Sequence, residues 1–315
     1  MRKKLSLTNI ADLRTKKLPE YRSFKLSKKI QPDYVKSLPN MRALWIDTWQ
    51  FLWKYRSKMI LFALVYMAAY LVLVKGVNGF ALNTADLRDN LKLAFHGNLG
   101  AAASSMSLYI SLMSSVTAST TEVSNYYQVT ILVVFSLAFI WLIRKLHGRR
   151  STATVKDSFY VGMRPLIPFI GVVIILTLEL APAGLGGLLL ATAQSAIVQS
   201  GTGEIMAFSV VMILCLVLTG YLLAGSIFAI YIVTLPSATP LIAIKSSMRL
   251  LRIHRWVVVR KMAAFYVSLI LLGFVLVIPF VFWLPARADV AFFVLSSASF
   301  AVMHTFMYKL YRSML

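Results

Sequence analysis

Two ionisable side chains, Glu179 and His304, fall inside long apolar stretches of this 315-residue sequence. A charge in hydrocarbon is costly, so each is by position a candidate for proton transfer, solute coupling or an interhelical hydrogen bond. Their depths set them apart. Glu179 follows Arg164 by 15 residues, roughly 22 Å at the helical rise, whereas His304 precedes Lys309 by five, roughly 7–8 Å. A separation of about 15 Å in depth argues against a direct relay. Glu179 is expected near the outer surface, beside Pro182 and the break at Gly184–Gly187, and His304 in an interhelical hydrogen bond.

The other histidines, His96, His147 and His254, have no second histidine or carboxylate at metal-ligand spacing, and HExxH is absent. GxSxG and GxxxxGK[ST] are absent too, so neither a serine hydrolase nor nucleotide hydrolysis is indicated. Helix capping and solvation account for His96 with Asp86 and Asp89. Cys215, the single cysteine, lies in an apolar stretch, which excludes an intrachain disulfide and a thiolate cluster. No catalytic, cofactor or metal residue is assigned.

The elements that must position these groups are membrane spans. A chain that is 59% hydrophobic and 14% charged has too little polar surface to cover a water-soluble globule. Its apolar runs are Met59–Val74, Val129–Ile143, Pro165–Gln194, Ala207–Leu235, Met262–Leu284 and Val290–Met307. A span needs about 20 residues, so the first two borrow flanks at 77–82 and 126–128.

Orientation follows from Lys and Arg, because basic loops resist translocation. The segment through Lys58 carries 15, residues 144–164 carry 6, residues 235–261 carry 6, and Lys309 and Arg312 close the chain. Lys75, Arg88, Lys92 and Arg287 fall on the other side. The expectation is an all-α polytopic protein of the plasma (inner) membrane with six transmembrane helices and both termini cytoplasmic. About 58 mostly polar residues precede the first run, so no cleavable signal is expected.

Residues 1–40 are basic and punctuated by Pro19, Pro32 and Pro39, the composition of a mobile cytoplasmic tail. The six-span domain occupies 41–315. Within it, LWIDTWQFLWKYRSK (44–58), TVKDSFYVGMRPL (154–166) and AIKSSMRLLRIHRWVVVRK (243–261) can be overlaid. Each sets a hydroxyl before a bulky apolar residue (Thr48-Trp49, Ser158-Phe159, Ser247-Met248), then basic residues, then a span. The unit is a basic interfacial helix plus a two-span hairpin, used three times; Trp45, Trp49, Leu52 and Trp53 form the apolar face of its first helix. An extracytoplasmic segment runs from about Asn83 to Gln128. It opens with a short helix, and its second part, 101–120, either rests on the outer leaflet or re-enters the membrane, being too rich in Ser and Thr for a further span.

The string TLPSATPLIAIKSSMRLLRIHRWVVVRK (234–261) resembles bacterial multi-pass inner-membrane proteins related to the glycerophosphoryl diester phosphodiesterase membrane domain. The resemblance is best over 207–284 and weaker at 44–74 and 153–180. Those families carry an Ala-Leu-Lys-x-Ser-Trp-like helix here, and Met248 stands where their Trp is found. Their enzymatic members work through an attached soluble barrel that this sequence does not show. The resemblance therefore implies an integral helical membrane domain and carries over no catalytic residue.

The function expected is that of a non-enzymatic scaffold or docking protein in envelope or membrane homeostasis. Lys16, Lys17, Lys28 and Lys29 in the tail and Arg249, Arg252 and Arg255 in the third interfacial helix would meet anionic lipid headgroups. A cytoplasmic protein or the ribosome is the other partner the tail suits. The alternative is a permease, or permease subunit, for a small or lipidic solute, with Glu179 and the Gly184–Gly187 break near its pathway.

Overall fold

The structure, a computed structural model, describes residues 38–76, 83–118, 121–148, 153–196, 202–235, 238–252 and 254–315, of which 39–315 form one unit by their contacts. Lys16, Lys17, Lys28 and Lys29 lie outside the described residues. The described residues are helical, with no strand among them. The α-helices are α1 (Met41–Lys54), α2 (Arg56–Tyr70, extended by a π turn over Leu71–Lys75), α3 (Ala85–Phe95), α4 (Leu99–Thr117), α5 (Glu122–His147), α6 (Val155–Tyr160) and α7 (Leu166–Glu179). They continue with α8 (Ala181–Ala196), α9 (Thr202–Ser226), α10 (Ala229–Ile232), α11 (Pro240–Leu251), α12 (Arg255–Trp283) and α13 (Ala288–Ser313).

Among the described residues, seven helical runs are long and apolar enough to cross a bilayer, one more than the six expected. The additional one is α4. Its hydroxyls do not interrupt it because they bond back to their own helix: Ser104 to the Gly100 carbonyl at 3.0 Å, Ser105 to Ala101 at 2.8 Å and Ser115 to Leu112 at 2.8 Å. Asn98 starts the helix by accepting from the Ala101 N–H.

Short helices stand where the three overlaid segments place them, ahead of α2, α7 and α12. Local chemistry explains the starts of two of them. Thr154 and Asp157 form a reciprocal capping box at α6, and bonds from Thr154 hold the Asp157 carboxyl below its ordinary pKa. Thr239 caps α11, with Pro240 at the first helical position. The hydroxyl residue of each segment is the buried one: Thr48 bonds Leu44, Ser158 bonds Val155 and Ser247 bonds Gly225, all at carbonyls.

The three helices are seated differently, however. α1 presents Ile46, Trp49 and Trp53 outward, while Trp45, expected beside them, turns onto Phe265 and Phe306. α6 is wedged inward, Phe159 stacking on Phe62 at 5.7 Å and meeting Phe135 edge-on at 5.0 Å. α11 packs against α7, α9 and α10.

α5 and α13 form the centre, with half of each apolar window buried. Aromatic rings join them to α2 and α12: Phe62 meets Phe139 at 4.8 Å, Tyr66 stacks on Phe300 at 5.0 Å, and Phe265 stacks on Phe306 at 4.0 Å.

Contacts at the ends of the helices define two ends of the bundle. At one, the Tyr55 hydroxyl donates to the Leu146 carbonyl at 3.0 Å, Phe51 packs on His147, and His147 packs on Tyr308, so the start of α2 meets the ends of α5 and α13. At the other, Tyr70 donates to the Thr117 carbonyl, and Lys75 Nζ donates to the Ser115 and Ala118 carbonyls at 3.2 and 2.7 Å. Phe95, four residues before α4, packs there on Phe282 at the end of α12. Both ends of α4 are therefore tied to the same end of the bundle.

Candidate functional site

Glu179 closes α7, and a single residue, Leu180, separates it from α8 and its Pro182. Ser226 closes α9, and the turn at 227–228 separates it from α10. These two helix breaks meet: the Ser226 hydroxyl donates to Glu179 Oε2. Arg255, the first residue of α12, is an electrostatic neighbour of Glu179. Its Nε and Nη2 donate to the Tyr221 carbonyl at 3.0 and 2.6 Å, and its guanidinium lies 3.6 Å from the centre of the Tyr221 ring. Gly225 permits this approach, since a Cβ there would stand 2.6 Å from Arg255 Nη2. The cluster is thus a carboxylate, a hydroxyl and a fixed cation at two interrupted helices.

The depth count set Glu179 apart from the basic segments, and the structure brings it to one of them. Two causes act together. The 165–194 stretch is not one straight rod, because α7 and α8 meet beside Glu179. In addition, α11 packs against α7, α9 and α10, and Arg255 at the start of α12 bonds the Tyr221 carbonyl of α9.

His304 is buried between α5, α10 and α13. Its Nε2 is 3.2 Å from Ser136 Oγ and its Nδ1 is 3.5 Å from Tyr231 Oη, while that hydroxyl also reaches the His304 carbonyl at 3.3 Å. Phe300 and Phe139 close around the ring. The Ser136–His304 contact is the interhelical hydrogen bond that the residue type suggests. A motif search could not find it, because Ser136 sits inside a helix without flanking glycines.

Arg144 is a structural tether that sequence reasoning missed, counting it merely as a loop charge. Its Nη1 donates to the Thr234 carbonyl at 2.8 Å and its Nη2 to the Tyr231 carbonyl at 2.6 Å. The guanidinium therefore caps the carboxyl end of α10, where backbone carbonyls gather partial negative charge. Its position one residue past Ile143, with α5 running on to His147, is the signal available in sequence.

α11 divides its faces sharply. Ala243, Ile244, Ser247 and Leu251 are buried, while Lys245, Arg249 and Arg252 are exposed beside exposed Leu241 and Ile242. Of the three arginines expected to dock, Arg249 and Arg252 face outward and Arg255 is turned onto Tyr221. No family model, curated protein or solved structure matches this chain. Among the described residues, no three His, Cys, Asp or Glu side chains gather as a metal site. Asp89, weighed with His96, pairs with Lys92 at 3.1 Å.

Proposed function

We propose that this is a six-span protein of the inner membrane, with both termini cytoplasmic, that docks anionic lipid headgroups through a basic cytoplasmic face. The observation that carries the reading is the exposed side of α11, where Arg249 and Arg252 stand beside apolar Leu241 and Ile242. Cations flanked by exposed apolar side chains suit a headgroup boundary, and residues 238–261 contain no acid to neutralise them. Six crossings are supported by α4, whose two ends are tied to one end of the bundle. The kinship with the membrane domain named above stays part of this proposal.

Each Lys or Arg near an anionic leaflet contributes about 1 kcal/mol, so Arg249→Ala with Arg252→Ala should weaken retention of phosphatidylglycerol roughly 30-fold. Native mass spectrometry of the full chain reads this directly, with phosphatidylcholine as the neutral comparison. Equal retention by the variant and the parent protein would refute the reading.

The permease reading is favoured by a different observation, the contact of Glu179 with Ser226 at two helix breaks. Interrupted helices carrying polar groups are how transporters hold ions and solutes within a membrane. If proteoliposomes holding the full chain dissipate an imposed proton gradient, and Glu179→Gln abolishes that flux, this reading gains over docking; identical flux with empty liposomes removes it.

A further inference from the structure

α1 has three faces. Leu44, Thr48 and Phe51 are buried, Ile46, Trp49 and Trp53 are exposed, and Asp47, Gln50 and Lys54 occupy the sector between them. Helical spacing accounts for each set, since residues three or four apart share a side. The polar set opens onto a cavity of ≈ 270 Å³, bounded on its other sides by His147 at the end of α5 and Lys309 near the end of α13. Phe51 forms its floor, with its ring 5.0 Å from the His147 ring and 5.5 Å from Lys309 Nζ.

The charges around this cavity are unbalanced. Lys54 and Lys309 face it against the single carboxylate of Asp47, and Arg312 adds a further positive neighbour to Lys309. His147 Nδ1 is a buried nitrogen without a hydrogen-bond partner among the described residues. The strongest acceptor for two ammonium groups is a phosphate. The size agrees: the cavity is just below the ~300–1,000 Å³ of drug-sized pockets, enough for a headgroup phosphate and waters at roughly 30 Å³ each.

The geometry points to a phosphate-binding site at this junction of α1, α5 and α13, with Lys54 and Lys309 as its cationic arms and the His147 ring in its wall. The adjacent Ile46, Trp49 and Trp53 place its rim at the height where indole rings meet headgroups, so a phospholipid is the expected source. The site shares no residue with α11, so its fate is separate from that of the docking face.

The test uses the purified full chain and two probes, short-chain phosphatidylglycerol and inorganic phosphate, with affinities measured by titration calorimetry. Lys54→Gln with Lys309→Gln should lower the affinity of whichever probe binds by at least about tenfold. Tighter binding of the lipid probe identifies a headgroup, and equal binding of both identifies free phosphate; either supports the site. Lys92→Gln, an exposed α3 residue paired with Asp89 and outside this junction, should leave this affinity unchanged. Because Lys309 is partly enclosed, exposed Lys54→Gln alone is the second variant, and it should still cost severalfold. Unchanged affinity in both variants, or no binding of either probe to the parent protein, would overturn the assignment.

Discussion

α4 and α5 follow one another in the chain, both begin on a side-chain cap, and both are long and apolar enough to cross a bilayer. Burial separates them, at 22% of the apolar window of α4 against 50% of that of α5. Their tethers separate them further. α4 ends on a cation supplied by another helix, Lys75, at the end of the bundle where it also begins. α5 starts near that end, where Gln128 donates to the Thr117 carbonyl, and finishes at the opposite one, where its own Arg144 caps α10. Length and apolarity make a helix at home in lipid, but the attachments of its two ends decide whether it traverses the bundle.

If that comparison is right, removing the tether of α5 should cost most. Arg144→Ala loses two charge-assisted bonds and should destabilise the protein by about 3 kcal/mol, measured as thermal unfolding in detergent. Arg144→Lys should recover only part of this, because one ammonium cannot reproduce a planar fork. A neutral Arg144→Ala would mean that α5 is not keyed to α10.

Lys75→Met tests the corresponding tether of α4. It should cost about 1–2 kcal/mol, with faster hydrogen exchange over residues 112–118 and no change within α5. Exchange that rises equally in both helices would erase the distinction. The smallest effect belongs to Ile110→Ala on the exposed side of α4, expected within about 0.5 kcal/mol by the same unfolding measurement.

What could be read from the chain alone followed short-range rules. The apolar runs, the short helices before α2, α7 and α12, and the hydroxyl set at Thr48, Ser158 and Ser247 depend on spacing along one helix. The meetings of distant residues do not. Glu179 and Ser226 are 47 positions apart and Ser136 and His304 are 168 apart, and no local pattern pairs them. The amphipathic pattern of α11 announced a buried face without naming what would cover it. α4 reaches the length and apolarity of a span for a related reason: hydroxyls count as polar in composition, yet in a helix they bond to the preceding turn.

The comparison of α4 with α5 carries the six-crossing reading, and single cysteines test it in a Cys215→Ser background. Asn98→Cys lies just before α4, Gly148→Cys just after α5, and Ser313→Cys at the end of α13. Labelled with a membrane-impermeant maleimide in sealed vesicles of known orientation, Gly148→Cys and Ser313→Cys should react from the same side and Asn98→Cys from the other. Reaction of Asn98→Cys and Gly148→Cys from one side would show that α4 crosses as α5 does, and would contradict the account.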